Sequence, residues 1–147
     1  MNNLLNVKNL SLKDRSTGNR ILNNISFGLN EKEILGVVGE SGSGKTLLSQ
    51  AIVNWLPENL EISSGHIDFL GKKMNEMSEN ELEKNIRGRE IAYIGPNAIN
   101  SLDPTYPVGH QLLEKAISID KENTSKEILK RKVISLLDDV LIPSPEK

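Results

Sequence analysis

The sequence predicts an α/β fold in which a glycine-rich loop joins a short apolar strand to an amphipathic helix. Residues 34–38 form the strand, because this run is rich in β-branched residues and too short for a helix. A glycine-rich segment follows at residues 39–46, and a helix that ends before Pro57 comes next. The predicted apolar face of this helix consists of Leu47, Leu48, Ala51, Ile52 and Trp55.

The glycine-rich segment matches the G-x-x-x-x-G-K-[ST] pattern of a phosphate-binding loop. Its residues are Gly39, Glu40, Ser41, Gly42, Ser43, Gly44, Lys45 and Thr46. Glycines let the backbone curl so that several N–H groups face an anion, and the helix that follows adds its positive dipole end. We expect Lys45 to reach the β- and γ-phosphates and the Thr46 hydroxyl to ligate Mg²⁺. Nucleotide binding is therefore the leading prediction.

Composition excludes several other classes of function. The 147 residues are enough for one domain, and the net charge of -2 gives no electrostatic reason to expect a nucleic-acid partner. Without cysteine there is no disulfide, thiolate metal site or thiol nucleophile. The first residues lack the features of a signal peptide, and no apolar run approaches membrane-spanning length. We expect a soluble, cytoplasmic chain whose membrane role would depend on a partner.

Residues 1–33 predict an antiparallel β lead-in to the phosphate loop. Apolar residues recur over residues 5–12 and alternate over residues 25–29, and the segment 16–19 between them is typical of a turn. Within the predicted core, residues 34–94, further strands are expected at 65–70 and 91–94. Ser78 and Glu81 have the spacing of a capping box, which predicts a short helix ending near Gly88.

Residues 95–147 predict an ordered loop followed by the start of a helical arm. The loop, residues 95–107, carries three prolines among small polar residues. The first helix has Leu112, Leu113, Ala116 and Ile117 on one face. The second starts from a capping box at residues 124–127, and its stripe consists of Leu129, Val133, Leu136, Leu137 and Val140.

The order of these parts resembles the ATP-binding subunit of ATP-binding-cassette (ABC) transporters. The matching segments are NLLNVKNLSL, ILNNISFGLNEKEILGVVGESGSGKT, SSGHIDFLGKKM and IAYIGPNAINSLDPTYPVGHQL. The segments SLDPTYPVGHQL and LLDDVLIPSPEK are similar to the subgroup that serves oligopeptide, dipeptide and nickel importers. The resemblance implies the N-terminal part of a P-loop ATPase domain over residues 1–147, with residues 95–147 covering the Q-loop-like region and helical arm.

The resemblance also implies site residues and ligands. ATP would be bound through the loop and the residue after it, that is Gly39, Glu40, Ser41, Gly42, Ser43, Gly44, Lys45, Thr46 and Leu47, with Mg²⁺ on Thr46. Pro96 occupies the position of the family's metal-sensing glutamine, which leaves the adjacent Asn97 as a candidate Mg²⁺ ligand. No aromatic residue occurs over residues 10–19 to stack on adenine, and Arg15 or Arg20 is the candidate replacement.

The implied function is the energising of an importer for peptides or nickel. The implied partners are a second ATPase subunit, identical or different, and transmembrane permease subunits that hold the chain at the inner face of the membrane. The family's signature loop and Walker B strand do not occur in the sequence, and the nearest imitation, residues 136–139, continues a helical stripe. The alternative is therefore a nucleotide-binding or pairing module without ATPase activity. We expect no significant ATP turnover from this polypeptide alone.

Two other interpretations rest on weaker patterns. Asp68 and Gly71 fit the D-x-x-G element of a GTPase, but the sequence contains no N-K-x-D motif to read a guanine base. His66 and His110 have no second histidine at ligand spacing, which favours surface or capping roles over metal binding.

Overall fold

The computed structural model describes residues 3–96, 101–120 and 122–146 of the chain. These divide into two compact units, Met1–Ile94 and Gly95–Lys147. In the described residues, the first unit contains the sheet, the glycine-rich loop, two α-helices and a short 3-10 helix (Met74–Glu76), and the second contains two α-helices.

The first unit is built on an antiparallel sheet of four strands. They are β1 (Asn3–Asp14), β2 (Arg20–Asn30), β3 (Leu60–Phe69) and β4 (Lys72–Lys73), in the spatial order β2-β1-β3-β4. The antiparallel lead-in is confirmed, because β1 and β2 pair as a hairpin. The strand predicted at residues 65–70 also forms, but it begins five residues earlier and pairs with β1.

The core of the first unit lies on one face of this sheet. Val7, Leu10 and Leu12 of β1 are fully buried, although strict alternation would put Val7 and Leu10 on opposite faces. Register shifts between Val7 and Leu10 mark a bulge, which returns the apolar residues to the core side. The sheet packs against helices α1 (Lys45–Ile52) and α2 (Glu79–Asn85), which bury Leu48, Ala51 and Leu82 in the same cluster.

The β1–β2 turn is held by the carboxylate of Asp14. Its Oδ1 accepts hydrogen bonds from the amides of Ser16 and Thr17, both at 2.9 Å, and its Oδ2 accepts one from Asn59 Nδ2 at 3.0 Å. The Ser16 hydroxyl, the Thr17 amide and the Asn59 amide hold the pKa of Asp14 well below its ordinary value. The predicted turn is therefore confirmed, and its ionised carboxylate stabilises it.

We expect the stability contributed by Asp14 to depend on pH. Because folding lowers this pKa, the contribution is complete above the ordinary pKa of aspartate, about 4, and is lost as pH falls further. Asp14→Ala should therefore melt below the wild type at pH 7, and the gap should narrow below about pH 4. Thermal melts across this pH range, with Glu31→Ala in another exposed turn as the control, would check it. A gap that stays constant with pH would contradict this role.

The predictions of strands at residues 34–38 and 91–94 are wrong. Residues 34–38 belong to no strand, and Ile34 and Val38 are 99% and 94% exposed. A strand requires neighbours for its N–H and C=O groups, and none of the four described strands lies beside this segment. In the second segment, only Ile91 forms a bridge, which is parallel and pairs with Arg87.

Helix α1 follows the loop as predicted but is shorter than its apolar pattern suggested. It ends at Ile52, so Trp55 lies outside it, with 58% of the residue exposed. The Trp55 ring instead meets Tyr93 edge to face, with ring centroids 6.0 Å apart. This aromatic contact is non-local, which is why helical spacing misplaced Trp55.

Helix α2 begins with the predicted capping box. The Glu81 amide donates to Ser78 Oγ at 3.4 Å, and the Ser78 amide donates to Glu81 Oε2 at 2.8 Å. After the helix, Arg87 Nε donates to Val53 O at 2.9 Å, and its guanidinium pairs with Glu79. Arg87 therefore links the C-terminal end of α1 to the first turn of α2, where its charge is favourable to the α1 carbonyls.

The second unit pairs α3 (Val108–Ile119) with α4 (Lys126–Asp139), and both predicted helices are confirmed. Leu113, Leu129 and Val133 are its buried apolar residues. The predicted capping box at residues 124–127 is wrong, because the Thr124 amide and hydroxyl both donate to Asp120, which precedes the helix. Residues 136–139 continue α4, as expected. No helix in the described part of the chain is long and apolar enough to cross a bilayer.

Candidate phosphate-binding site

The glycine-rich loop ends in a backbone conformation that favours glycine. Gly44 is the N-cap of α1 with φ +92°, and Gly42 has φ +82°, both in the left-handed region. The first helical hydrogen bond runs from the Leu48 amide to Gly44 O at 2.8 Å. Among the described residues, the amides of Gly44, Lys45 and Thr46 have no protein acceptor. The loop therefore presents consecutive backbone donors at the positive end of a helix, as an anion site requires.

Lys45 folds back onto the loop that precedes it. Its Nζ donates to Gly39 O at 2.8 Å and Glu40 O at 2.7 Å, and lies 3.4 Å from Ser43 Oγ. These acceptors are neutral, so the ammonium keeps an uncompensated charge beside the open amides. Hydrogen bonds between an ammonium and phosphate are charge-assisted on both sides and stronger than those to carbonyls. An anion bound at the loop can therefore replace these carbonyl oxygens as the hydrogen-bond acceptor of Lys45.

The remaining loop residues differ in what they can offer a ligand. Thr46 is exposed, and within residues 3–96 its hydroxyl has no hydrogen-bond partner, while its carbonyl accepts from Ser49 Oγ at 2.8 Å. Glu40 and Ser41 are also exposed. The Leu47 side chain packs against the core, so only its backbone amide could contribute. A free hydroxyl next to a phosphate site fits Mg²⁺, which keeps most of its waters and takes few protein ligands.

The candidates for adenine stacking, Arg15 and Arg20, each have a hydrogen-bond partner in the described structure. Asn97 falls outside the described residues. Arg15 Nε donates to Leu60 O at 3.2 Å, and Arg20 Nη1 donates to Asn23 Oδ1 at 3.4 Å. Neither arginine contacts an aromatic ring in the described structure.

The two histidines each have a single acidic neighbour. His66 lies 3.5 Å from Asp68, and His110 lies 3.7 Å from Glu114. Across residues 3–96, 101–120 and 122–146, no group of three or more metal-ligating side chains comes together. Asp68 itself lies within β3, paired with Lys73. The weaker metal and GTPase patterns thus gain no supporting geometry.

Sequence reasoning missed one residue that touches the loop. A Cβ added to Gly44 would lie 2.6 Å from Leu22 Cδ2, so the Leu22 side chain is packed directly against this glycine. Leu22 belongs to β2, and the sequence offered only its apolar character as a signal. Nothing local connects residues 22 and 44, so the contact emerges only from the folded sheet.

A sequence model of the ABC transporter family matches residues 22–144, which include the loop and helices α1 to α4. The chain belongs to the ABC transporter family. The match covers most of the chain, so the resemblance seen in the sequence is confirmed.

Several curated ABC relatives are peptide or metal import proteins. The oligopeptide transport ATP-binding protein OppD of Bacillus subtilis is 40% identical over 147 residues, covering 98% of this chain and 40% of its own length. The dipeptide transport ATP-binding protein DppD of Escherichia coli is 36% identical, covering 97% and 43%. The metal-staphylopine import system ATP-binding protein CntD of Staphylococcus aureus is 34% identical, covering 98% and 52%. The chain therefore spans about half the length of these relatives or less.

Solved ABC cassettes share the fold. A dimeric ATP-binding cassette in a post-hydrolysis state, bound to ADP and Pi, superposes with a TM-score of 0.80 at 20% identity, over 96% of this chain and 59% of its own. This likeness confirms the ABC ATPase-like α/β fold class. The relatives are named as ATP-binding proteins, and those names give no support to a module without ATPase activity.

Proposed function

We propose that this ABC chain binds MgATP as part of the ATP-binding subunit of an importer for peptides or nickel. The observation that carries the proposal is the loop itself, where the amides of Gly44, Lys45 and Thr46 are open beside an ammonium bound only to neutral groups. Backbone donors, a helix dipole and a lysine together favour a triphosphate over a neutral ligand.

Each loop residue has a distinct role in this proposal. The amides of Gly42, Gly44, Lys45 and Thr46 bind phosphate oxygens, whereas the Ser43 amide donates to Glu40 O at 3.2 Å. Lys45 neutralises charge on the β- and γ-phosphates, and the Thr46 hydroxyl holds Mg²⁺. Mg²⁺ neutralises charge on the phosphate oxygens when it is bound. Gly39, Glu40, Ser41, Ser43 and Leu47 complete the loop through their backbone. Asn97 remains a proposed additional Mg²⁺ ligand through its amide oxygen.

The proposal extends to partners and location, by analogy with the import relatives. A second ATPase subunit would pair with this one, and permease subunits would hold it at the cytoplasmic face of the membrane. ATP binding and hydrolysis in the assembled importer would then energise solute movement. The solute class, peptide or nickel, is proposed from relatives that are named for oligopeptide, dipeptide and metal-staphylopine transport.

Titration calorimetry with ATP, in Mg²⁺ and in a chelator, tests the proposal on three proteins. The wild type should bind ATP more tightly when Mg²⁺ is present, because the Thr46 hydroxyl can ligate the ion. Thr46→Ala should lose most of that gain, whereas Thr46→Ser keeps the hydroxyl and should retain it. A wild type without measurable ATP affinity would refute the nucleotide site. An undiminished Mg²⁺ effect in Thr46→Ala would refute the metal role of this residue.

A further inference from the structure

The phosphate loop rests on an apolar side chain from a distant strand. Leu22 Cδ2 lies close enough to Gly44 that any Cβ there would be at 2.6 Å, far inside ordinary contact. Leu22 is buried, and its backbone lies opposite Leu12 near the turn end of the hairpin formed by β1 and β2. The contact therefore joins the end of the loop to the buried core cluster of the first unit.

Gly44 is the residue whose backbone must stay fixed if the loop is to bind an anion. Its left-handed conformation directs its own amide and those of the first helical turn, and glycine itself has little preference for that conformation. Two contacts limit its freedom: the hydrogen bond from the Leu48 amide on one side and the Leu22 methyl group on the other.

The contact between Leu22 and Gly44 becomes more important for the loop conformation when a phosphate binds. In the ligand-free structure, Lys45 stabilises the start of the loop through hydrogen bonds to Gly39 O and Glu40 O. A phosphate that recruits the ammonium competes with those hydrogen bonds, so this polar support weakens upon binding. Contact with Leu22 involves no charge, so a phosphate does not compete with it.

We infer that Leu22 is a positioning residue for phosphate binding, which keeps Gly44 in the conformation that converges the amides of residues 44–46. The inference rests on the proposed MgATP site. It assigns to Leu22 a role in affinity that is separable from its role in core stability.

The chain offers a closely matched control for this separation. Leu5 and Leu22 are both 7% exposed and belong to the same core cluster and hairpin. Leu5 lies opposite Leu29 and Phe69, whereas Leu22 lies opposite Leu12, seven positions further along β1. At about 3.4 Å per residue, the part of β1 between Leu5 and Leu12 is at most about 24 Å long, so Leu5 lies near the opposite end of the hairpin.

We expect Leu22→Ala and Leu5→Ala to lower the melting temperature by similar amounts and to differ in binding. Leu22→Ala should weaken both MgATP and inorganic tripolyphosphate about tenfold, which corresponds to about 1.4 kcal/mol. Leu5→Ala should leave both affinities unchanged. Calorimetry is to be run well below either melting midpoint, and Leu22→Met, which conserves volume, should bind as the wild type does. If Leu22→Ala does not fold, Leu22→Val takes its place.

Two results separate failure of this inference from failure of the site itself. Equal affinities of Leu22→Ala and Leu5→Ala, with a wild type that binds MgATP, would overturn the role of Leu22 and leave the site intact. A wild type that binds neither MgATP nor tripolyphosphate would overturn the proposed function and this inference with it.

Discussion

Replacing Lys45 with alanine is expected to weaken MgATP binding by about a hundredfold. The side chain would make two charge-assisted hydrogen bonds to the triphosphate, each worth about 1.5 kcal/mol, and every 1.4 kcal/mol corresponds to a factor of ten. In the ligand-free loop the same ammonium contacts only Gly39 O, Glu40 O and Ser43 Oγ. Titration calorimetry with MgATP measures the difference directly.

Two variants make this result specific. Lys45→Arg keeps the charge but changes the geometry, so it should bind less tightly than the wild type and more tightly than Lys45→Ala. Lys72→Ala removes an exposed lysine from β4 in the same unit, and it should leave affinity unchanged. Equal dissociation constants for the wild type and Lys45→Ala would remove the loop from consideration as a nucleotide site.

Leu10→Ala is expected to produce one of the largest losses of folding free energy, about 3 kcal/mol. Leu10 is fully buried on β1, which lies between β2 and β3, and truncating a buried leucine to alanine typically costs 2–5 kcal/mol, roughly in proportion to the cavity left. Since small domains are stable by only about 5–15 kcal/mol, this loss should be plain in denaturant unfolding followed by circular dichroism.

Ile34→Ala provides the comparison, because sequence and structure disagree about it. If residues 34–38 formed a buried strand, Ile34→Ala would lower the free energy of unfolding by a large part of the Leu10→Ala loss. In the structure Ile34 is 99% exposed, so we expect a change within about 0.5 kcal/mol. A loss at Ile34 as large as that at Leu10 would show that the segment is buried after all.

Several features that the sequence predicted correctly have partners that are close along the chain. The Asp14 turn is closed by Ser16 and Thr17, and the α2 capping box by residues three apart. The left-handed glycines of the loop and the start of α1 are likewise neighbours along the chain, whereas phosphate binding by this loop stays a prediction. Such features depend on backbone preferences and hydrogen bonds within one turn of chain, which a residue pattern specifies by itself.

Tertiary structure alone decided where β3 pairs, whether residues 34–38 form a strand, and what supports the loop. The apolar character of residues 34–38 favours burial, but it does not specify a neighbouring strand. None of the four described strands pairs with this segment. The bulge in β1, the placement of β3 beside β1, the Arg87 link to α1 and the packing of Leu22 on Gly44 each join residues far apart in sequence. Contacts of this kind depend on the packing of whole elements, so local periodicity carries no signal for them.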